Sequence, residues 1–331
     1  MKLPKKLSLA NLPTKIEKLE RLSEKLVGGP NIFIKRDDQT GTEISGNKIR
    51  KLEFSIREAL DENSDVLITC GGIQSNHARA TAAIATKLGL KSVLVLRTDK
   101  EKEDIDGNYF LDKLLGADIR FISSEDYSKR RTEIMNDIKD NLKKEGLRGY
   151  IIPEGASNGI GNFGYYNALL EILDQQKEMN VKFDMIVCPV GSGATYGGMF
   201  LANKLNNTDC EIYGVNVSGD AKHFKDAISN ILKESFTYTD DEIIINKEEI
   251  NIIDGYVGGG YAISRPEELE FIYSLAKLEG VILDPVYTGK AMYGLVQEIK
   301  KGRFTDKKNI LFIHTGGLFG LFPKKELMEF K

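Results

Sequence analysis

The chain has 331 residues, about twice the length of an average domain, which predicts two domains and a core that needs neither disulfides nor metals. With 46 Lys and Arg against 49 Asp and Glu, the formal net charge of −3 argues against a nucleic-acid-binding protein. The sequence lacks any run of about 18 apolar residues, so we expect no membrane span. Three separated cysteines and three histidines predict no disulfide framework and no metal centre, and we expect a cytoplasmic protein.

Short β-rich runs alternate along the sequence with segments of helical periodicity. Strands are predicted at residues 32–35, 66–70, 92–96, 118–122, 185–190, 212–217 and 310–314. Helices are predicted at residues 49–60, 76–88, 107–115, 124–144, 161–179, 195–205, 266–278 and 288–300. This alternation indicates βαβ crossovers and an α/β fold whose sheets are mostly parallel and flanked by helices. The Lys- and Glu-rich stretch at 235–249 is predicted to be a solvated excursion.

Glycine is over-represented, with 32 copies that collect in clusters, most of them after predicted strands. Ligands of parallel sheets bind beyond the carboxyl ends of the strands, so these clusters predict a ligand site. The loop Gly191-Ser192-Gly193-Ala194-Thr195 ends a strand and opens a helix, which indicates a seat for the phosphate of a small cofactor or, alternatively, a plain tight turn. The dinucleotide fingerprint fails because position 196 is tyrosine, but Asp220 could act as a ribose-binding acid, so nucleotide binding stays open.

Lys48 stands at the start of a predicted helix, where a positive charge opposes the helix dipole. A lysine that functions at such a position should be held as a neutral amine or as a Schiff base. Taken alone, however, most lysines in a sequence have no special role. Arg50 and Lys51 share the unfavourable position and are predicted to be solvated.

The turn at residues 71–77 is a second candidate site. A predicted strand ends at two glycines, and Ser75 or Asn76 then begins a helix, which makes an ordinary N-cap the simplest interpretation. The functional interpretation is an anion seat for a substrate carboxylate, with the Ser75 hydroxyl and the Asn76 amide as donors. His77 is expected to pack beside the turn. Further along, Tyr287 lies at a predicted helix entrance and Tyr261 in a glycine-rich loop, where either tyrosine alone indicates packing more than catalysis.

Five segments in this order resemble the D-cysteine desulfhydrase and 1-aminocyclopropane-1-carboxylate deaminase family of pyridoxal-phosphate enzymes. The segments are Ser45-Gly46-Asn47-Lys48-Ile49-Arg50-Lys51-Leu52-Glu53, Gly71-Gly72-Ile73-Gln74-Ser75-Asn76-His77, Gly191-Ser192-Gly193-Ala194-Thr195, Asp284-Pro285-Val286-Tyr287-Thr288-Gly289-Lys290-Ala291-Met292 and Phe312-Ile313-His314-Thr315-Gly316-Gly317. Each segment is weak evidence alone, but the ordered set is specific. The resemblance runs from about residue 12 to the C-terminus. It implies the tryptophan-synthase-β fold (fold type II), with two open, twisted sheets and the cofactor between two domains: 1–50 plus 157–331 as the large domain, and 51–156 as the small one.

The resemblance also implies roles for individual residues. Lys48 would hold pyridoxal 5′-phosphate as a Schiff base and shuttle the Cα proton, and Asn76 would contact the 3′-oxygen of the ring. The loop from Gly191 to Thr195, with Ser192, Gly193 and Ala194, would bind the phosphate. The substrate would meet the turn formed by Gln74, Ser75, Asn76 and His77, with Ser75, Tyr261 and Tyr287 as catalytic side chains. The family is dimeric, so a homodimer with a small amino acid as its substrate is implied.

One position bears on the choice of reaction. Deaminases of the family carry glutamate after the tyrosine of Asp-Pro-Val-Tyr, which keeps the pyridine nitrogen protonated, whereas this chain has Thr288. A hydroxyl from Thr288 or Thr315 would give a weaker electron sink, sufficient when a good leaving group such as thiolate stands on Cβ. This favours α,β-elimination of D-cysteine to pyruvate, hydrogen sulfide and ammonia. Cyclopropane-ring opening and sulfite elimination from cysteate are alternatives on the same site, and a non-catalytic nucleotide- or phosphate-binding protein is the alternative of another class.

Overall fold

A computed structural model describes residues 3–330, in which strands and helices alternate along most of the chain. The strands are β1 Ile16–Lys18, β2 Asn31–Lys35, β3 Val66–Gly72, β4 Lys91–Arg97, β5 Asp118–Ile122, β6 Gly149–Ile151, β7 Met185–Val190, β8 Glu211–Asn216, β9 Asn251–Ile253 and β10 Asn309–Ile313. The helices are α1 Glu20–Lys25, α2 Lys48–Asp61, α3 Asn76–Lys87, α4 Gly107–Leu114, α5 Ser124–Lys144, α6 Gly159–Met179, α7 Ala194–Leu205, α8 Ala221–Ser235, α9 Pro266–Glu279 and α10 Thr288–Lys300.

The strands form two sheets. A six-stranded sheet has the order β1-β2-β10-β7-β8-β9, and a four-stranded sheet has the order β5-β4-β3-β6. Apart from the antiparallel β1–β2 pair, the strand pairs are parallel. The prediction of two mostly parallel sheets flanked by helices is therefore confirmed. The four-stranded sheet lies between residues 66 and 151, while the domain boundaries themselves stay a prediction.

The central strands are buried on both faces because helices cover each sheet from two sides. All six residues of β7 are buried, as are six of the seven residues of β3. Strands of this kind consist of near-continuous apolar runs, which is why they could be found from the sequence. The elements that were missed are short or amphipathic: the three-residue strands β1, β6 and β9, and the helices α1 and α8.

Helix α8 changes the interpretation of Asp220. The Asp220 side chain caps this helix, since its Oδ1 accepts the His223 backbone N–H at 2.7 Å. A carboxylate used as an N-cap satisfies free N–H groups and favours the helix dipole. Its place after a strand is therefore explained by the helix that it begins. In the predicted excursion beyond α8, Ile243 and Ile245 pack partly buried against the core, so that stretch is less solvated than expected.

The prediction that Arg50 and Lys51 are solvated is wrong, since both side chains are buried. Arg50 pairs with Asp37 at 2.8 Å and with Glu171 at 2.9 Å, and Lys35 also contacts Glu171. We call Lys35, Asp37, Arg50 and Glu171 the ionic cluster. The ionic cluster joins β2, α2 and α6. The helix-dipole argument predicted solvated charges because it considers only local sequence, whereas here partners from distant segments neutralise them.

Within residues 3–330, no helix has both the length and the hydropathy needed to cross a membrane. The same residues contain no group of three or more His, Cys, Asp or Glu side chains arranged to hold a metal ion.

Candidate active site

A cavity of about 450 Å³ opens between the two sheets, at the carboxyl ends of their strands. Gly72 ends β3, Arg97 ends β4, Gly191 follows β7, and Thr315 follows β10, and all four line the cavity. The rule for parallel sheets places ligands at this edge. The cavity also brings together most of the residues singled out in the sequence: Lys48, Ser75, Asn76, His77, Gly191, Ser192, Gly193, Thr195, Tyr261, Tyr287 and Thr315.

Lys48 is the first residue of α2, and its amine faces the cavity. Burial lowers the pKa of Lys48 from 10.5 to about 8, although the carboxylates of Glu154 and Asp284 act in the opposite direction. The amine donates to Asn47 Oδ1 at 3.1 Å, and Asn47 Nδ2 donates to Thr195 Oγ1 at 3.0 Å. The Lys48 amine therefore loses its proton more readily than an ordinary lysine, and Asn47 links it to Thr195 in the first turn of α7.

This pKa predicts that the Lys48 amine of the ligand-free protein reacts selectively with an aldehyde. Labelling with pyridoxal phosphate, followed by borohydride reduction and peptide mass mapping, should mark Lys48 before the exposed lysines. The ratio of Lys48 labelling to the total labelling of the exposed lysines should be highest below about pH 8 and should fall at higher pH, where amines of ordinary pKa lose their protons. A ratio that stays constant from about pH 7 to 10.5 would mean that Lys48 titrates like a surface lysine.

The loop after β7 has the form of an anion seat. Gly193 has φ of +106°, which a side chain rarely adopts, and a Cβ at Gly191 would stand 3.0 Å from the Tyr287 ring. Helix α7 begins at Ala194, so the N–H groups of its first turn have no acceptor within the helix and point towards the loop. Ala194 itself is buried and can contribute only its backbone.

A buried amine beside this loop fits an anionic ligand. Lys51 Nζ lies 3.4 Å from the Gly155 carbonyl oxygen, and a Cβ at Gly155 would come within 2.7 Å of Ser192 Oγ. Burial lowers the pKa of Lys51 well below 10.5, and Lys48 lowers it further. No described carboxylate forms an ion pair with Lys51. Without a partner the buried amine favours its neutral form, and a phosphate group in the seat would supply the negative charge that stabilises its protonated form.

The β3–α3 turn is as compact as the sequence suggested. Ser75 is the N-cap of α3, its Oγ accepting the Ala78 N–H at 3.1 Å, and a Cβ at Gly71 would stand only 2.5 Å from that oxygen. His77 packs below the turn with Nε2 at 2.7 Å from Thr69 Oγ1. Burial, together with Lys48 and Lys51, holds the pKa of His77 well below 6.5, so the ring is neutral.

Gln74 does not lie where the sequence interpretation put it. Its Nε2 donates to the Asp106 carbonyl at 3.0 Å, its Oε1 accepts the Asn108 N–H at 2.8 Å, and the residue is not part of the cavity lining. The Gln74 side chain therefore braces α4 and is not free for a substrate.

Two tyrosines close the cavity opposite the turn. The hydroxyls of Tyr261 and Tyr287 lie 2.7 Å apart, and Lys48 Nζ is 5.9 Å from the centre of the Tyr287 ring. Burial and the neighbouring Tyr261 raise the pKa of Tyr287 well above 10. Both phenols are thus neutral and can donate a proton or a hydrogen bond to a group near Lys48.

The structure separates the two threonines proposed for the pyridine nitrogen. Thr288 is fully buried outside the cavity lining, and its hydroxyl donates to Asp284 Oδ1 at 2.7 Å. The Asp284 carboxylate also accepts the N–H groups of residues 286, 287 and 288. Thr315 lines the cavity instead. Thr288 was expected to contact the cofactor, but its hydroxyl is bound to the neighbouring Asp284. Thr288 therefore stabilises the start of α10.

Several residues in and around the cavity were not found from the sequence. Asn47 is the N-cap residue directly before Lys48, and Lys51 lies one helical turn after Lys48, so the helical period could have revealed Lys51. Arg97 ends a parallel strand, which is a position that the strand-end rule covers. Glu154 had no sequence signal, since it reaches the cavity through a turn between β6 and α6.

Together these residues fit a small ligand that carries a phosphate and a carbonyl able to react with an amine. Known proteins agree with that fit. The model of a family described as pyridoxal-phosphate dependent enzyme matches residues 7–316. The chain is 44% identical over 329 residues to a bifunctional D-cysteine desulfhydrase/1-aminocyclopropane-1-carboxylate deaminase of Arabidopsis thaliana, named mitochondrial, covering 97% of this chain and 80% of the relative.

Two further relatives match over nearly their full length. A D-cysteine desulfhydrase of Klebsiella pneumoniae is 39% identical over 321 residues, covering 96% of this chain and 95% of that one. The crystal structure of a homologue of ACC deaminase (ACC being 1-aminocyclopropane-1-carboxylate) superposes with a TM-score of 0.90 at 38% identity, covering 98% and 96% of the two chains. The chain belongs to the family of pyridoxal-phosphate-dependent enzymes. Within that family, these three relatives carry the names of D-cysteine desulfhydrase, of ACC deaminase, or of both.

Proposed function

We propose that this protein is a lyase that catalyses α,β-elimination of D-cysteine, converting D-cysteine and water into pyruvate, hydrogen sulfide and ammonia. The observation that carries the proposal is the neutral hydroxyl of Thr315 at the strand end where the pyridine nitrogen would be received. The nearby Asp284 carboxylate is already saturated by four donors. When bound, pyridoxal phosphate supplies the electron sink. A hydroxyl partner makes that sink weaker than a carboxylate would, which suits a thiolate leaving group better than an unactivated cyclopropane.

The proposal assigns a separate role to each group of residues in the cavity. Lys48 holds the cofactor and, once displaced by the substrate amine, takes the Cα proton on Nζ, since its lowered pKa favours the neutral amine. The residues from Gly191 to Thr195 bind the phosphate, and the Asn76 amide contacts the 3′-oxygen. Ser75 and the backbone of its turn receive the substrate carboxylate at the start of α3. Tyr261 and Tyr287 flank the substrate as neutral donors.

A substrate panel tests the proposal. Purified protein loaded with pyridoxal phosphate should release pyruvate and sulfide from D-cysteine, and far more slowly from L-cysteine. Production of 2-oxobutyrate from 1-aminocyclopropane-1-carboxylate at a comparable kcat/KM would contradict the leaving-group argument. A protein that cannot be reconstituted to a coloured form, and that binds a nucleotide instead, would refute the enzyme assignment altogether.

Arg97 favours sulfite elimination from cysteate as a second candidate function. Its guanidinium stands 5.1 Å from the centre of the Tyr127 ring and 5.4 Å from that of Tyr261, between two cavity walls. It forms no hydrogen bond or salt bridge with another described side chain. Strand pairing places Arg97 opposite Gly72, beside the turn proposed for the carboxylate. An unpaired guanidinium there suits a substrate with a second anionic group, such as a β-sulfonate.

Replacing Arg97 with glutamine should separate the two candidates. Loss of a charge-assisted hydrogen bond predicts a fall of about 10- to 100-fold in kcat/KM for cysteate. The change should be much smaller for β-chloro-D-alanine, whose leaving group has no second acidic function. Arg120→Gln is the matched control, because Arg120 pairs with Asp118 on the exposed face of β5. Equal losses for both substrates would assign Arg97 a purely structural role.

We further propose that the protein is a cytoplasmic homodimer with domains at 1–50 plus 157–331 and 51–156. The dimer and the domain boundaries rest on the family resemblance, and cytoplasm is supported by the bacterial relative, whereas the plant relative is named mitochondrial. Light scattering, limited proteolysis and cell fractionation test the three statements separately.

A further inference from the structure

The side-chain amide of Asn76 accepts a hydrogen bond from a second asparagine, which is fully buried on the side away from the cavity. Asn108, the second residue of α4, donates from Nδ2 to Asn76 Oδ1 and to the Gln74 carbonyl oxygen, both at 3.0 Å. The approach is close because Gly107 precedes it: a Cβ on Gly107 would stand 2.5 Å from Gln74 Oε1, and its φ is +56°. The β3–α3 turn and the start of α4 therefore pack in direct contact.

This contact decides which end of the Asn76 amide faces the cavity. An asparagine side chain has a carbonyl oxygen that accepts and an amino group that donates, and the two can exchange places by rotation of the amide. Because the Asn76 oxygen is occupied by Asn108, the amino group is the end left for a ligand. A donor in that position suits a negatively charged oxygen and would repel a second donor.

The orientation of Asn108 is determined in turn by Arg79. Arg79 lies one helical turn after Asn76, is fully buried, and donates from Nε to Asn108 Oδ1 at 3.0 Å. A guanidinium has no acceptor, so Asn108 must present its oxygen to Arg79 and its amino group to Asn76. The remaining Arg79 donors reach the carbonyl oxygens of Glu43 and, at 2.9 Å, of Ser45, just before Lys48. A chain of hydrogen bonds with a fixed donor direction thus joins the backbone before Lys48, through Arg79 and Asn108, to the side chain of Asn76.

We propose that Asn108 is a positioning residue that keeps the Asn76 amino group directed at the 3′-oxygen of pyridoxal phosphate, with Arg79 setting its direction. The inference rests on the role proposed above for Asn76. Asn108 is absent from the cavity lining, so it acts through Asn76 and touches neither cofactor nor substrate.

Asn108→Asp is the variant that tests this direction. Aspartate keeps the acceptor for Arg79 and the shape of the side chain, but it offers Asn76 an oxygen in place of an amino group. The Asn76 amide must then rotate and present its carbonyl to the cofactor oxygen. We expect the dissociation constant of pyridoxal phosphate to rise about 10- to 100-fold, as for loss of a hydrogen bond to a charged group. The pH midpoint of the visible absorption band should move upwards, because the anionic oxygen loses its donor.

A double-mutant cycle with Asn76→Ala distinguishes this inference from the assignment of Asn76. If Asn108 acts only through Asn76, Asn108→Asp should add little once Asn76 is alanine. Asn203→Asp, a half-buried asparagine near the end of α7 and remote from the cavity, is the control for the charge change. If Asn76→Ala leaves affinity and spectrum unchanged, the role proposed for Asn76 is wrong.

The inference on Asn108 is overturned if Asn76→Ala has its effect while folded Asn108→Asp binds the cofactor like the parent protein. Fully additive effects of the two substitutions would overturn it as well. Should Asn108→Asp not fold, Asn108→Ala replaces it: the same upward spectral shift supports the inference, and an unchanged spectrum refutes it. The melting temperature of the cofactor-free variants shows which case applies.

Discussion

Replacing Lys48 with alanine should lower the rate of pyruvate formation from D-cysteine by at least about 10³-fold, even with the cofactor supplied in excess. In the proposed function, the substitution removes both the amine that holds the cofactor and the base that takes the Cα proton. No other amine can substitute for it without rearrangement, because the only described lysine beside it, Lys51, points at the Gly155 carbonyl. The visible band of the reconstituted protein should disappear as well.

The measurement is pyruvate release from D-cysteine with the cofactor present in excess, together with an absorption spectrum. Lys177→Ala is the matched control, since Lys177 forms an exposed pair with Asp174 on α6 and should leave both readouts unchanged. A cofactor-loaded Lys48→Ala protein that formed pyruvate at the parent rate would refute the assignment of Lys48.

Replacing Asp37 with asparagine should lower the free energy of unfolding by about 3–5 kcal/mol, the range for breaking a buried ion pair. Asp37 is fully buried and accepts from Thr14 at 2.7 Å and from two nitrogens of Arg50 at 2.8 and 2.9 Å. Tyr165 also donates to it. The substitution conserves volume but removes one negative charge from the ionic cluster, so the buried cations of Lys35 and Arg50 are left with the single carboxylate of Glu171.

The same cluster predicts how stability depends on pH. Burial raises the pKa of Asp37, but Arg50, Lys35 and the Tyr165 hydroxyl together outweigh it and hold that pKa below 3.8. Arg50 and Lys35 likewise hold the pKa of Glu171 below 4.5 against the effect of burial. For carboxylates whose folded pKa is depressed, the stabilisation is complete above the unfolded values, that is above about pH 5. It is lost as the pH falls through the depressed folded values. Asp37→Asn should therefore flatten the acid limb of the stability curve below about pH 4.

Denaturant unfolding of the two proteins between about pH 3 and 7 measures both effects. Asp118→Asn is the control: it removes an exposed carboxylate paired with Arg120 and should cost far less. An Asp37→Asn protein as stable as its parent at neutral pH would show that hydrogen bonds of the amide replace the ion pair. Because Arg50 lies two residues after Lys48, a destabilised cluster should also loosen the start of α2 and weaken cofactor binding.

The sequence by itself determined the features that depend on near neighbours. Hydrophobic period and length placed α5 and α10 at their observed residues, and the strand that became β7 was recognised because both its faces are apolar. The N-cap of α3, predicted at Ser75 or Asn76, is Ser75, in line with the preference of serine for that position. Motifs in a fixed order were enough to identify the family and its cofactor, since the chemistry of each motif is carried by a few contiguous residues.

Tertiary structure alone decided which side chains are turned towards the cavity and which support it. Arg50 and Lys51 are buried because their partners lie 13 to 121 residues away along the chain, at Asp37, Glu171 and the Gly155 carbonyl. Thr288 and Gln74 bind Asp284 and α4 instead of a ligand. Arg97 gains its position from strand register, Asn108 from the packing of α4 on α3, and Glu154 from the turn between β6 and α6. The direction of a hydrogen bond between distant segments depends on the whole arrangement of donors and acceptors, and no local pattern in the sequence encodes it.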